Sequence, residues 1–135
     1  MSSRRCEPAE EAFVRAFVAP SKQDRILGFL RNDKGRRKVL LSLPHFPHFD
    51  SRFAHRIASR LQTPQAILAA LKSKQAPDIC YVISAHPSLD QTKQALAEVL
   101  DEVVGWQGGT ILSCVPGRLA YYEGEHRGDR LLLER

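Results

Sequence analysis

Apolar and polar positions alternate along the chain with two different periods. Ala9, Ala12, Phe13, Ala16 and Phe17 recur every three to four residues and predict a helix from Pro8 to Ala19, stopped by Pro20. Ser21 to Asp24 reads as a new helix start, followed by Ile26, Leu27, Phe29 and Leu30, and Asn32 to Gly35 reads as a turn. Residues 1–35 are therefore expected to form a helical hairpin. Val39, Leu41 and Leu43 then alternate with Lys38, Leu40 and Ser42, which predicts a first strand over Arg36 to Leu43. Two prolines make Pro44 to Phe49 a loop. Asp50 is placed to cap a helix bearing Phe53, Ala54, Ile57, Ala58 and Leu61. Thr63-Pro64 has the residue order of another helix start, with Ile67, Leu68 and Leu71 on its apolar face.

The second half is more sharply patterned. Ile79-Cys80-Tyr81-Val82-Ile83 is uniformly apolar, as in a central strand covered on both faces. A helix is expected from about Ser88 to Val104, with Thr92, Ala95, Leu96, Val99, Leu100 and Val103 as its buried stripe and Gly105 as a left-handed cap. Thr110 to Val115, Leu119 to Glu123 and Leu131 to Leu133 read as three strands. Pro116-Gly117 has the order of a type II turn, so the second of them should return antiparallel. Helix-containing connections between the earlier strands predict parallel pairing through right-handed crossovers. The expected fold is thus α/β: a single domain over 1–135, with the hairpin of 1–35 packed on a 36–135 core. That core is a mixed sheet of about five strands in a βαβαβββ-like order.

Composition narrows the setting. At 135 residues the chain is long enough to bury a proper core. No apolar run approaches the roughly 18 residues of a membrane span, and Met1 to Glu7 lacks the apolar segment of a secretory signal. Cys6, Cys80 and Cys114 are odd in number and form no C-x-x-C pair, so reduced, buried thiols in a cytoplasmic setting are expected. The net charge of +5 lies entirely within residues 1–38, which hold ten Lys/Arg against five Asp/Glu; the remainder balances. Such asymmetry is suited to an acidic partner or a nucleic acid.

Three functional readings follow. The leading one is a small binding or interaction module of unknown ligand. Its partner is an acidic one or a second copy, the latter pairing through the apolar C-terminal edge at Leu131 to Leu133. The second is a metal- or His-assisted hydrolase. Parallel first and second strands would bring the loops Pro44 to Asp50 and Ser84 to Ser88 to one sheet edge, next to helix N-termini. His86 and Ser84 would then be the catalytic pair, with His45, His48, Asp50 and Ser88 binding the ligand. His45, His48 and His86 would be the metal set, since imidazole is a suitable zinc ligand. The third reading is a nucleic-acid-binding protein. It uses Arg36, Arg37 and Lys38 together with Arg52, Arg56 and Arg60, which would form a ridge on the helix after Asp50. Exposed loop histidines and ordinary caps account for the same residues without any site.

Overall fold

A computed structural model describes residues 6–135. Met1 to Arg5, most of the stretch on which the absence of a secretory signal was read, lie outside the described residues. The chain builds α1 (Pro8–Phe17), α2 (Gln23–Leu30), α3 (Asp33–Ser42), β1 (Ala54–Arg56), α4 (Pro64–Ser73), β2 (Ile79–Ser84), β3 (Lys93–Ala95), α5 (Leu96–Val103), β4 (Thr110–Val115), β5 (Leu119–Glu123) and β6 (Arg130–Glu134). Among the described residues six strands form one sheet in the order β1-β6-β5-β4-β2-β3, and every pairing is antiparallel. The expected mixed sheet of about five strands with parallel crossovers is therefore corrected.

Alternation along the strands sorts the core into two layers. Ile83, Ile111, Ala120, Tyr122 and Leu133 face α1, α2 and α3, where they meet Phe13, Phe17, Leu27, Leu30, Val39, Leu43 and Phe46. Val82, Leu112, Tyr121 and Leu132 face α4 and α5, where they meet Ile67, Leu71, Val99 and Leu100. Among the described residues no helix is long and apolar enough to cross a membrane.

Three local departures from the sequence reading explain the change in topology. Arg36 to Leu43 is not a strand: α3 begins after Asn32, whose side chain accepts the Gly35 N–H at 2.7 Å. Arg36, Val39 and Leu43 form its buried stripe, while Leu41, which the strand reading placed inside, is 71% exposed. The N-terminal layer is thus three helices rather than a hairpin. The segment after Asp50 makes only a 3-10 turn (Ser51–Phe53) before β1, because Ala54 to Arg56 pair with Leu133 to Leu131 of β6. Finally, Ser88 does not start a helix. Gln91 adopts φ +61, which breaks helical continuation, and the chain folds back as β3 against β2. That extra strand returns the chain to the opposite end of the sheet, so α5 carries it back and β4 runs antiparallel to β2.

Other elements follow the sequence closely. Pro116-Gly117 turns β4 into β5 with Gly117 at φ +74. Gly105 ends α5 at φ +92, and its N–H and that of Gln107 are capped by the buried Glu123 carboxylate. Cys6, Cys80 and Cys114 are buried free thiols; burial raises Cys80 and Cys114 to pKa values of about 12. Leu131 to Leu133 are interior rather than an edge, since β6 lies between β1 and β5. The apolar run that was to pair two copies is paired within the chain. Thr63 caps α4 by accepting the Ala66 N–H at 3.1 Å. Replacing it with Ala should cost about 1 kcal/mol in urea unfolding, whereas Thr63→Ser should be close to neutral.

Candidate anion-binding cleft

The α2–α3 connection is tight because of one glycine. A Cβ on Gly35 would meet the Phe29 carbonyl oxygen at 2.4 Å, so only glycine lets α3 start against α2 at this separation. On the outer side of this pair, Arg25 and Phe29 lie one turn apart on α2, just after Lys22 on the preceding 3-10 turn. Lys38 and Ser42 are likewise one turn apart on α3. The third wall comes from Pro47 and His48. Their loop is fixed against the end of α1: Ala19 N–H donates to His48 O at 2.8 Å, Asp50 N–H donates to Phe17 O at 2.7 Å, and Val18 bridges Phe49.

Together these elements enclose a cleft of about 380 Å³. Its apolar floor is Ile26, Phe29, Val39 and Pro47, and its polar lining is Lys22, Arg25, Lys38, Ser42 and His48. Among the described residues no carboxylate lines it. The Arg25 guanidinium carbon and Lys38 Nζ stand 5.6 and 5.8 Å from the Phe29 ring centroid, so the ring face orients both cations. Neither of them, nor Lys22, forms an ion pair with another described residue. Asp24, beside Arg25 in sequence, is held instead by Arg15 at 3.0 Å. The His48 ring packs edge-on to Phe46, with centroids 5.5 Å apart. Like charges gathered over an apolar floor repel one another.

No family model, curated protein or solved structure matches this chain.

The site is therefore read from its own chemistry. The structure unites two residues that the sequence assigned to different readings, Lys38 and His48, and adds Lys22, Arg25 and Ser42, which the sequence reading missed. The signal of Lys22 and Arg25 was present in the polar positions at and just before the start of α2. It was invisible as a site because α3 read as a strand.

The other candidates are dispersed. Arg36 is buried: its Nη1 and Nη2 donate to the Glu10 carboxylate at 2.6 and 2.9 Å, and its Nε and Nη2 donate to Asp90 at 3.1 and 2.8 Å. Burial alone would lower its pKa, but the Asp90 and Glu10 hydrogen bonds outweigh this and raise it. Tyr81 Oη also donates to Glu10, at 2.7 Å. This cluster ties α1, α3 and the loop after β2 together; it is an internal clamp, and Arg36 is not a phosphate contact. Arg37 is exposed beside Asp33, Leu40, Leu41 and Ala85 in a separate shallow cavity. Arg52 lies bidentate on Asp50, with donor distances of 3.0 and 2.7 Å, and this pairing holds the Asp50 carboxyl below the usual carboxylate range. Arg56 and Arg60 are exposed on β1 and on a later 3-10 turn, so the helical arginine ridge does not exist.

The two loops that were to form a catalytic edge do approach each other, although the first follows helix α3 and not a strand. Gly109 lies between them. Its carbonyl accepts the Ala85 N–H at 3.0 Å, and a Cβ on it would meet Pro44 N at 2.6 Å. The side chains nevertheless diverge. The His86 ring lies tilted against Trp106, centroids 5.2 Å apart, with Nδ1 2.9 Å from Ser88 Oγ. His45 is exposed, 3.9 Å from the Glu125 carboxylate, and His48 turns into the cleft. Ser84 Oγ is fully buried on Thr110 Oγ1 at 2.9 Å and accepts the His86 N–H, so it is not presented to a substrate. Among the described residues no group of three or more His, Cys, Asp or Glu is placed to hold a metal ion.

Proposed function

We propose that the protein is a binding module for an anionic ligand, seated in the cleft between α2 and α3. The observation that carries this reading is the lining: Lys22, Arg25, Lys38 and His48 surround an apolar floor, with no carboxylate among the described residues. The ligand class that fits is a phosphorylated small molecule. Its phosphate oxygens take the charge-assisted hydrogen bonds of Arg25 and the lysines, and its body rests on Phe29, Ile26 and Val39. Ser42 already donates its hydroxyl hydrogen to Val39 O at 2.8 Å, so it enters the site as an acceptor.

Inorganic pyrophosphate titrated by calorimetry at low ionic strength is the direct probe. Binding should be saturable, weaken with salt, and fall about tenfold in Lys38→Glu, since a reversed charge a few ångströms away is worth roughly 1–2 kcal/mol even in a watery environment. Binding unchanged in Lys38→Glu and in Arg25→Glu would sink the reading.

A second reading has one observation in its favour. Lys34 and Arg37 are exposed on α3 alongside Lys38, which extends the basic surface beyond the cleft as a polyanion backbone requires. If this reading holds, a mixed oligonucleotide binds with a steep inverse dependence on salt, and Lys34→Glu and Arg37→Glu weaken it as much as Lys38→Glu does. Pyrophosphate binding that ignores both substitutions, with no oligonucleotide binding, excludes it.

A further inference from the structure

The opposite end of the sheet carries a second surface, independent of the cleft. β1 is an edge strand, paired on one side only. Ile57 N–H donates to Arg130 O at 3.1 Å, and its register partners continue as His55↔Leu132. In an antiparallel ladder the backbone groups point alternately toward and away from the partner strand. His55 and Ile57 therefore address β6, while the N–H and C=O groups of Ala54 and Arg56 point outward with no strand to receive them.

Beside this edge, between β1, β6 and α4, lies a groove of about 510 Å³. Ile57, Leu61, Ala66, Ala70 and Leu132 form its apolar floor, with Leu61 44% exposed. Arg56 is the one uncompensated charge on its rim among the described residues. His55, Arg56 and Lys74 line it, and its single carboxylate, Glu134, is already held by Lys74 at 2.9 Å. Arg56 and the nearby exposed Arg60 make no ion pair with any described residue.

We infer that β1 is a docking edge for an extended acidic peptide segment of a partner protein. The segment adds to the sheet as a seventh strand, placing apolar side chains on the groove face with His55 and Ile57, and carboxylates on the opposite face against Arg56. Strand addition of this kind takes affinity from backbone hydrogen bonds and specificity from a pocket for alternate side chains. Charge selects the occupant. A second copy of this chain paired antiparallel over these three residues would set Arg56 opposite Ala54 and offer it no carboxylate, whereas an acidic segment does.

The probe is a fluorescein-labelled octapeptide alternating glutamate with valine, read by fluorescence polarisation beside a lysine–valine control. The glutamate peptide should bind saturably and the lysine peptide should not. Ala54→Pro removes one outward N–H, at an edge where proline is tolerated, and should lower affinity about tenfold, the equivalent of one to two net hydrogen bonds. It should leave the circular dichroism spectrum and pyrophosphate binding at the cleft unchanged. If Ala54→Pro fails to fold, Arg56→Glu carries the test and should shift preference toward the lysine peptide. Equal binding of both peptides, no binding of either, or a folded Ala54→Pro protein with wild-type affinity would overturn the inference. A dimer in sedimentation that Ala54→Pro dissolves would replace the acidic partner with a second copy.

Discussion

Arg36→Met should destabilise the protein by about 3–5 kcal/mol, roughly a 10–20 °C fall in Tm, in scanning calorimetry or urea unfolding. Glu10 is 1% exposed, and its carboxylate has Arg36 as its cation and Tyr81 as its remaining side-chain donor. Asp90 shares the same guanidinium and also accepts the Ser84 N–H at 3.1 Å. Removing the cation leaves two carboxylates facing one another in a site of low dielectric, which is far more costly than removing a whole ionic group. Glu10→Gln and Asp90→Asn introduced together with Arg36→Met should lose clearly less stability than Arg36→Met alone. If the single substitution costs no more than about 1 kcal/mol, the cluster is not holding α1, α3 and the β2 loop together.

Gly109→Ala should cost about 3 kcal/mol or more in the same measurement. Gly109 has φ +94, a conformation that costs an L side chain of order 1–3 kcal/mol by itself. The added Cβ would also sit 2.6 Å from Pro44 N and 2.9 Å from Leu43 C, and these are backbone atoms that no rotamer change can move aside. Gly105 makes the control. It is also left-handed, at φ +92, but nothing lies within 4 Å of its missing Cβ. Gly105→Ala should show the conformational cost alone, and a Gly109→Ala effect no larger than that of Gly105→Ala would contradict the close approach of the two loops.

The elements written into local chemistry were legible in the chain. α1 with its Phe13 and Phe17 stripe, α4 with its Thr63-Pro64 start, the apolar β2, and the β4–β5 hairpin turned by Gly117 appear where the residues place them. The failures share a cause. Val39, Leu41 and Leu43 alternate like a strand, but Arg36, Val39 and Leu43 fit a helical face equally well, and the decision falls to Glu10 and Asp90, which are distant in sequence and draw Arg36 inward. Lys93 to Ala95 continue the helical spacing of α5 yet pair with β2, because Asp90 is held by Arg36 and Gln91 turns the chain back. β1 forms where Ala54 to Arg56 meet Leu133 to Leu131 of β6, far on in the chain. Each of these outcomes depends on a tertiary contact that no local window contains.

The site was legible in fragments for the same reason. Lys38 and His48 were recognised as a basic residue and a loop histidine, but on the expected fold they had no reason to meet. Lys22 and Arg25 were unremarked because their helix had been given only an apolar face. With α3 folded as a helix against α2, all four line one cleft.

The most direct test of that cleft is amide and side-chain chemical-shift mapping during a titration with inorganic pyrophosphate. Saturable shifts confined to Lys22, Arg25, Phe29, Lys38, Ser42 and His48 are the predicted result. Shifts spread over the exposed arginines elsewhere, or none at these six residues, would contradict an anion-binding function for this protein.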